Sequence, residues 1–256
     1  MNEFVKTQVK EHIATVTIDR PPVNAMTRPA FIEVRDAFHA LNDQKAVRVA
    51  ILTGAGRAFS AGIDMKAEFS TRDPDNLVAV LQMVEAAADA IQECRVPVIG
   101  AINGAALAGG FVMASACDIL LLSESAQLGV PEVSVGIVGG TERLRRLVPE
   151  LKARMLAITG QNITAQELLH LGAVEKVVPA EQLVAEAEAL AQIVASRSPL
   201  AVEAVKQSQN YLERNPGKTD AARLHWMLAR ELFATEDAAE AVDAFFGNRL
   251  PEFKGK

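Results

Sequence analysis

Twice in this chain a short apolar run empties into a cluster of small residues and then into a helical pattern. Val49-Ala-Ile-Leu-Thr53 leads into Gly54 to Lys66, GAGRAFSAGIDMK, and Val96-Pro-Val-Ile-Gly-Ala-Ile102 leads into AINGAALAGGFVMA, Ala101 to Ala114. A short apolar run bounded by glycine reads as a buried strand. Two strand–turn–helix units of this kind, placed side by side, aim two backbone N–H groups at one point. That layout holds a developing negative charge on a carbonyl oxygen.

The second unit raises a membrane question, because Val96 to Cys117 is 22 residues without a charge, long enough to span a bilayer. Pro97, Asn103 and four glycines interrupt it, and Asp118 follows at once, so a buried strand–turn–helix is expected. The N-terminus MNEFVKTQVKEH lacks an apolar core with a cleavage site, which predicts a cytoplasmic protein with no membrane partner. A net charge of −6 argues against a nucleic-acid surface. Cys94 and Cys117 sit in apolar segments and are expected as buried free thiols.

Along the chain, Ile13 to Asp19 alternates like a half-buried strand, and a helix with Phe31, Val34, Phe38 and Leu41 on one stripe follows Asn24 to Thr27. Glu68 to Asn76 reads as a loop and Leu77 to Arg95 as a helix. Asp118 to Leu122 is a strand, Ala126 to Gly129 is extended, and Thr141 is expected to cap the next helix. A helix stopping near Gly172 leads to a last strand ending at Val178, and Glu181 to Arg197 is a long helix. From Ser198 the pattern is helical, broken at Asn215-Pro216-Gly217. Strands alternating with helices predict an α/β fold, with a segregated helical tail.

No phosphate loop, dinucleotide fingerprint or nucleophile elbow occurs. His12, His39, His170 and His225 are scattered without ligand spacing, so no metal site is expected.

Seven segments in order resemble the crotonase superfamily, the enoyl-CoA hydratase/isomerase family. They are Arg20-Pro-Pro-Val-Asn-Ala-Met26, Phe59-Ser-Ala-Gly-Ile-Asp-Met-Lys66, Asn103-Gly-Ala-Ala-Leu-Ala-Gly-Gly110, Cys117-Asp-Ile119, Leu128-Gly-Val-Pro-Glu132, Gly139-Gly-Thr-Glu-Arg-Leu144 and Phe233-Ala-Thr-Glu-Asp237. The resemblance covers essentially the whole chain. It implies an α/β, crotonase-like spiral of strand–strand–helix units over residues 1–195, and a helical oligomerisation region over 196–256. It further implies a homotrimer, paired as a hexamer in some members. Leu224, Trp226, Met227, Leu228, Leu232, Phe233, Phe245 and Phe246 supply more apolar surface than a short tail can bury alone.

The resemblance implies an acyl-CoA thioester substrate, with coenzyme A as part of the substrate and no prosthetic group. It puts the two N–H donors at Ile63 and Gly109, the latter small so that the thioester can approach. Backbone groups near Ala25, Ala61 and Ile63 would hold the adenine, and Lys66 would lie by the phosphates and pantetheine. Members carry another lysine after the Arg-Pro pair, where this chain has Pro22, so Arg57 and Lys254 are the cations left to compensate. Asp64 is expected to cap a turn.

Glu132 aligns with a catalytic glutamate of the family. Between Pro131 and Val133, desolvation should raise its pKa toward the range of a general acid/base, unless Arg143 pairs with it. Hydratases of the family carry a second glutamate three residues after the oxyanion glycine, and here that residue is Val112. The loop Gly136 to Gly140 is also about three residues shorter than in hydratases. One remaining carboxylate fits most simply a 3-enoyl-CoA to 2-enoyl-CoA isomerase. The alternatives are a hydratase with an altered water site, on aliphatic or aromatic acyl-CoA, and a non-catalytic acyl-CoA-binding protein.

Overall fold

Parallel strands need a crossover, and here each crossover deposits one strand in each of two sheets before a helix returns the chain. The computed structural model describes residues 3–69, 73–215 and 218–256. In chain order the elements are β1 (Val5–Lys10), β2 (Ile13–Ile18), β3 (Ala25–Met26), α1 (Arg28–Asn42), β4 (Val49–Gly54), β5 (Ala58–Ser60), β6 (Gly62–Ile63), α2 (Met65–Glu68) and α3 (Pro74–Gln92). Then come β7 (Val98–Ile102), β8 (Ala105–Leu107), α4 (Gly109–Ser115), β9 (Ile119–Ser123), β10 (Gln127–Gly129), α5 (Glu150–Thr159), β11 (Ile163–Thr164), α6 (Ala165–His170), β12 (Lys176–Val178) and α7 (Leu183–Ala195). The tail holds α8 (Pro199–Arg214), α9 (Lys218–Phe233) and α10 (Glu236–Phe246).

The larger sheet has the order β1-β2-β4-β7-β9-β12 and the smaller one β11-β10-β8-β5, with β3 and β6 forming a separate pair. From β2 onward the larger sheet is parallel. The two glycine-rich units are neighbours in both sheets: β4 pairs with β7, and β5 pairs with β8 through Ala58↔Ala105. Their turns therefore leave the same sheet end together, the end where open parallel sheets bind ligands.

Alternation along the central strands sorts the core. Ala50, Leu52, Val98 and Ile102 pack toward α1 and α3, while Val49, Ile51, Ile99 and Ala101 pack under Leu183, Ala187 and Ala191 of α7. The uncharged stretch from Val96 is β7, β8 and α4, all within this core. Among the described residues no helix is long and apolar enough to cross a membrane. Both cysteines are buried and free, and burial pushes the Cys117 thiol up to about 12.

Several boundaries differ from the sequence expectation. β1 gives no periodic signal because only Val5 of VKTQVK is buried, yet it pairs with all of β2. Helix α3 starts at Pro74, capped by the Asp73 carboxylate, and ends at Gln92; residues 70–72 of the expected loop lie outside the described residues, as do Pro216 and Gly217. Thr141 caps nothing. It opens a 3₁₀ turn, Thr141–Arg146, whose N-cap is Gly140 at φ 63°, so the threonine sits one residue inside the cap position from which a side chain serves the first amides.

Candidate active site

The first glycine-rich turn has few backbone partners of its own, so two asparagines supply them. Asn24, buried and at φ 53°, donates from Nδ2 to the carbonyls of Ala55, Ala58 and Phe59 at 2.9, 2.8 and 3.2 Å. Asn103 donates to Gly56 O at 2.9 Å and accepts from Gly54 N–H at 3.2 Å. Buried carbonyls left alone are costly; Asn103 belongs to the second strand–turn unit and Asn24 to the turn just before β3. The turns are stitched to one another. Both asparagines stand in the motif segments, but nothing in the sequence shows which carbonyls they serve.

Where the turns meet, Gly62 at φ 87° leaves no room for a side chain. A Cβ there would lie 2.7 Å from the Ala108 methyl and 3.2 Å from the Gly109 nitrogen. The Asp64 N–H donates to Met26 O at 2.8 Å. Ile63, one residue earlier in the extended β6, turns its N–H to the opposite side, away from β3. Gly109 opens α4, and the first bond of that helix is Val112 N–H to Ala108 O at 3.0 Å. The Gly109 amide is thus one of the helix-start donors without an intrahelical acceptor.

Packing supplies a reason of its own for a glycine at 109. Its missing Cβ would meet the Phe31 ring at 2.9 Å and Val84 at 3.4 Å, so packing against α1 and α3 demands the small residue. Ala108, at φ 51° and ψ −123°, holds a backbone conformation that costs a non-glycine residue about 1–3 kcal/mol.

Ala25 pairs with Gly62, and Ala61 N–H donates to Val23 O at 3.0 Å. Arg20, which the sequence marks only as half of an Arg-Pro pair, braces this region. Its Nη1 reaches Ala25 O at 2.6 Å and Asp64 Oδ2 at 2.9 Å. Asp64 caps α2 as expected, and the Ala67 N–H together with Arg20 holds its carboxyl below the usual range. Lys66 and Arg57 are both exposed. The residue before Lys254 is anchored away from the turns. Arg48, just before β4, donates to Phe253 O at 2.8 Å, which ties the tail to the end of β4 opposite the turns. Six strand residues separate the two ends by about 20 Å.

Glu132 lies in the 3₁₀ turn Pro131–Val135, directly after β10. The carbonyl of Gly129 accepts from Ala108 N–H at 2.9 Å, which seats this segment beside the second turn. Among the described residues Glu132 has no ion-pair partner: Arg143 pairs with Glu85 at 2.9 Å and Asp89 at 3.4 Å instead. Glu132 Oε2 is buried without a hydrogen-bond partner among the described residues. Desolvation pushes the carboxyl up to about 7, against the pull of its own backbone N–H, and the charge of Glu142 raises it further. Val112 is 2% exposed. A Cβ at Gly140 would lie 2.7 Å from its Cγ2 and 3.5 Å from Val130 Cγ1, so the short loop closes on the valine.

A profile described as enoyl-CoA hydratase/isomerase matches residues 8–256. A probable mitochondrial enoyl-CoA hydratase of Dictyostelium discoideum is 35% identical over 254 residues, covering 98% of this chain and 90% of the relative. A (7aS)-7a-methyl-1,5-dioxo-2,3,5,6,7,7a-hexahydro-1H-indene-carboxyl-CoA hydrolase of Rhodococcus jostii is 37% identical, covering 81% of this chain and 80% of the relative. Among solved structures, an enoyl-CoA hydratase from Bacillus anthracis superposes with a TM-score of 0.94 at 30% identity, over 99% of this chain and 100% of that one.

Proposed function

This chain belongs to the enoyl-CoA hydratase/isomerase family, and from that premise we propose that it is an isomerase moving an acyl-CoA double bond from the 3 to the 2 position. One observation carries the reading. Glu132 keeps one carboxyl oxygen, Oε2, buried and without a partner among the described residues, and the position where hydratases would carry a second carboxylate is the buried Val112. Adding water needs a group to hold it, and valine neither donates nor accepts.

Isomerisation needs only one carboxylate and a place for negative charge. Ionised Glu132 takes a proton from carbon 2 of the 3-enoyl thioester, and the electron pair moves onto the thioester oxygen as a dienolate. The N–H groups of Ile63 and Gly109 donate to that oxygen, and losing one such donor costs on the order of 100-fold in rate. Protonated Glu132 then returns its proton to carbon 4, which restores the carboxylate and leaves the 2-enoyl thioester. A carboxyl near pH 7 suits both halves of the cycle. On the coenzyme side, backbone groups of Ala25, Ala61 and Ile63 hold the adenine, and Lys66 offers charge to the phosphates.

Hydration is the second reading, favoured by the names of the relatives. It would require Glu132 Oε2 alone to hold the water. Turnover of a 3-enoyl-CoA by Glu132→Gln at the wild-type rate would overturn both readings. Tight coenzyme A binding with no turnover of any enoyl-CoA would favour a non-catalytic acyl-CoA-binding protein.

We further propose that residues 1–195 carry the acyl-CoA site and 196–256 drive assembly into a homotrimer. In the single chain Trp226, Phe233, Phe245 and Phe246 are each more than 70% exposed. They do not fold back on their own core, and a patch of this kind marks an interface.

A further inference from the structure

The 3₁₀ turn Thr141–Arg146 follows directly on the Glu132 loop, and Arg143 fastens it to α3. The Arg143 side chain is 11% exposed. Nη2 and Nε reach Glu85 Oε2 at 2.9 and 3.3 Å, Nη2 reaches Asp89 Oδ1 at 3.4 Å, and Nη1 reaches Gln92 Oε1 at 3.4 Å. Gln92 passes the connection on, donating to Glu213 of α8 at 3.1 Å. Glu213 also holds Arg146 at 2.9 Å, and Arg146 donates to the Ser115 carbonyl at the end of α4.

The same helix walls the acid/base. A Cβ on Gly139 would stand 3.5 Å from Glu132 Oε1 and 3.6 Å from Leu81 Cδ2, and Leu81 is one turn before Glu85 on α3. Gly140 meets Val112 on the other side. A turn fastened to α3 therefore keeps Gly139 and Gly140 against the carboxyl, although Arg143 never touches it.

We propose that Arg143 is a positioning residue for Glu132: by clamping the 3₁₀ turn to α3 it closes Gly139 and Gly140 over the carboxyl and keeps water away from it. This rests on the reading of Glu132 as the acid/base. Glu85 and Asp89 on α3, Glu213 and Arg214 on α8, and Arg146 on the turn itself are charged groups around the clamp. On the clamped turn, Glu142 is the charge acting on Glu132.

The test measures kcat and KM for a 3-enoyl-CoA across pH in the full-length protein carrying Arg143→Met, Arg143→Lys or Glu85→Gln. Loosening the clamp lowers kcat on the order of 10-fold or more with KM little changed, as expected when a distant change misplaces a reacting group. The acid limb of the profile moves from about 7 toward 4.5 as water reaches the carboxyl. Arg143→Lys recovers part of both effects, and Arg145→Gln, whose partner is the exposed Glu150, changes neither. A folded Arg143→Met with unchanged kcat and acid limb, or with only a raised KM, overturns the proposal. If that variant does not fold, Glu85→Gln decides, with smaller changes in the same direction expected and an unmoved limb counting against. Glu132→Gln separates the two claims. Wild-type turnover there removes the acid/base reading, whereas an inactive Glu132→Gln beside an unmoved Arg143→Met limb removes only the clamp.

Discussion

Replacing Glu132 by glutamine keeps the shape of the side chain and removes its titration, so it measures the desolvation of this site directly. The wild-type carboxyl rises from 4.5 to about 7 on folding. Between those values the folded protein holds a proton that the unfolded chain has released. Stability from this group is therefore fully present below about pH 4.5 and is lost as the pH rises through 7. A rise of about 2.5 pH units at about 1.4 kcal/mol each sets an upper bound near 3.5 kcal/mol. Glu132 is only partly buried, and solvent screening reduces this to about 1–2 kcal/mol. The unfolding free energy of Glu132→Gln, relative to wild type, should thus grow by about 1–2 kcal/mol between about pH 4.5 and pH 8.5. Urea titrations followed by far-ultraviolet circular dichroism, at one fixed protein concentration, read this difference. A difference that does not change with pH would refute the claim that the carboxyl sits in an apolar pocket.

Three further outcomes follow from the same geometry. The isomerisation rate rises with pH through about 7, where an ordinary carboxylate would level off near 4.5; a pH–rate profile checks it. Gly109→Ala drives a methyl into the Phe31 ring and costs about 1–3 kcal/mol of stability, part of which Phe31→Leu restores in the double variant by chemical denaturation. Asn103→Ala strips partners from Gly56 O and Gly54 N–H and costs about 1–3 kcal/mol, with a loss of turnover because the first turn carries Ile63.

How much of this was legible in the sequence depends on range. The two strand–turn units, the α1 stripe and the last strand are written in local periodicity and glycine placement, which is why β4, β7, α1 and β12 fall close to where the pattern puts them. β1 is invisible because one buried valine makes no pattern; it is a strand only because β2 offers it a ladder. At the site, the motifs identify Glu132 and the position of Val112, and burial between apolar neighbours foretells the raised carboxyl. What the sequence cannot show is pairing at a distance. Arg143 is as plausible a partner for Glu132 as for Glu85 until α3 is folded over the 3₁₀ turn. The same holds for the contact of Gly109 with Phe31, a residue 78 positions earlier. The sequence likewise cannot show the bond from Arg48 to the Phe253 carbonyl, which ties the tail to the start of β4.

The central claim is that one carboxylate beside a valine shifts a double bond and does not add water. Mass spectrometry of the coenzyme A thioesters after incubation with a 3-enoyl-CoA tests it most directly. The account predicts conversion to the 2-enoyl isomer with no change in mass, lost in Glu132→Gln. A product heavier by one water, formed as fast as or faster than the isomer, would contradict it.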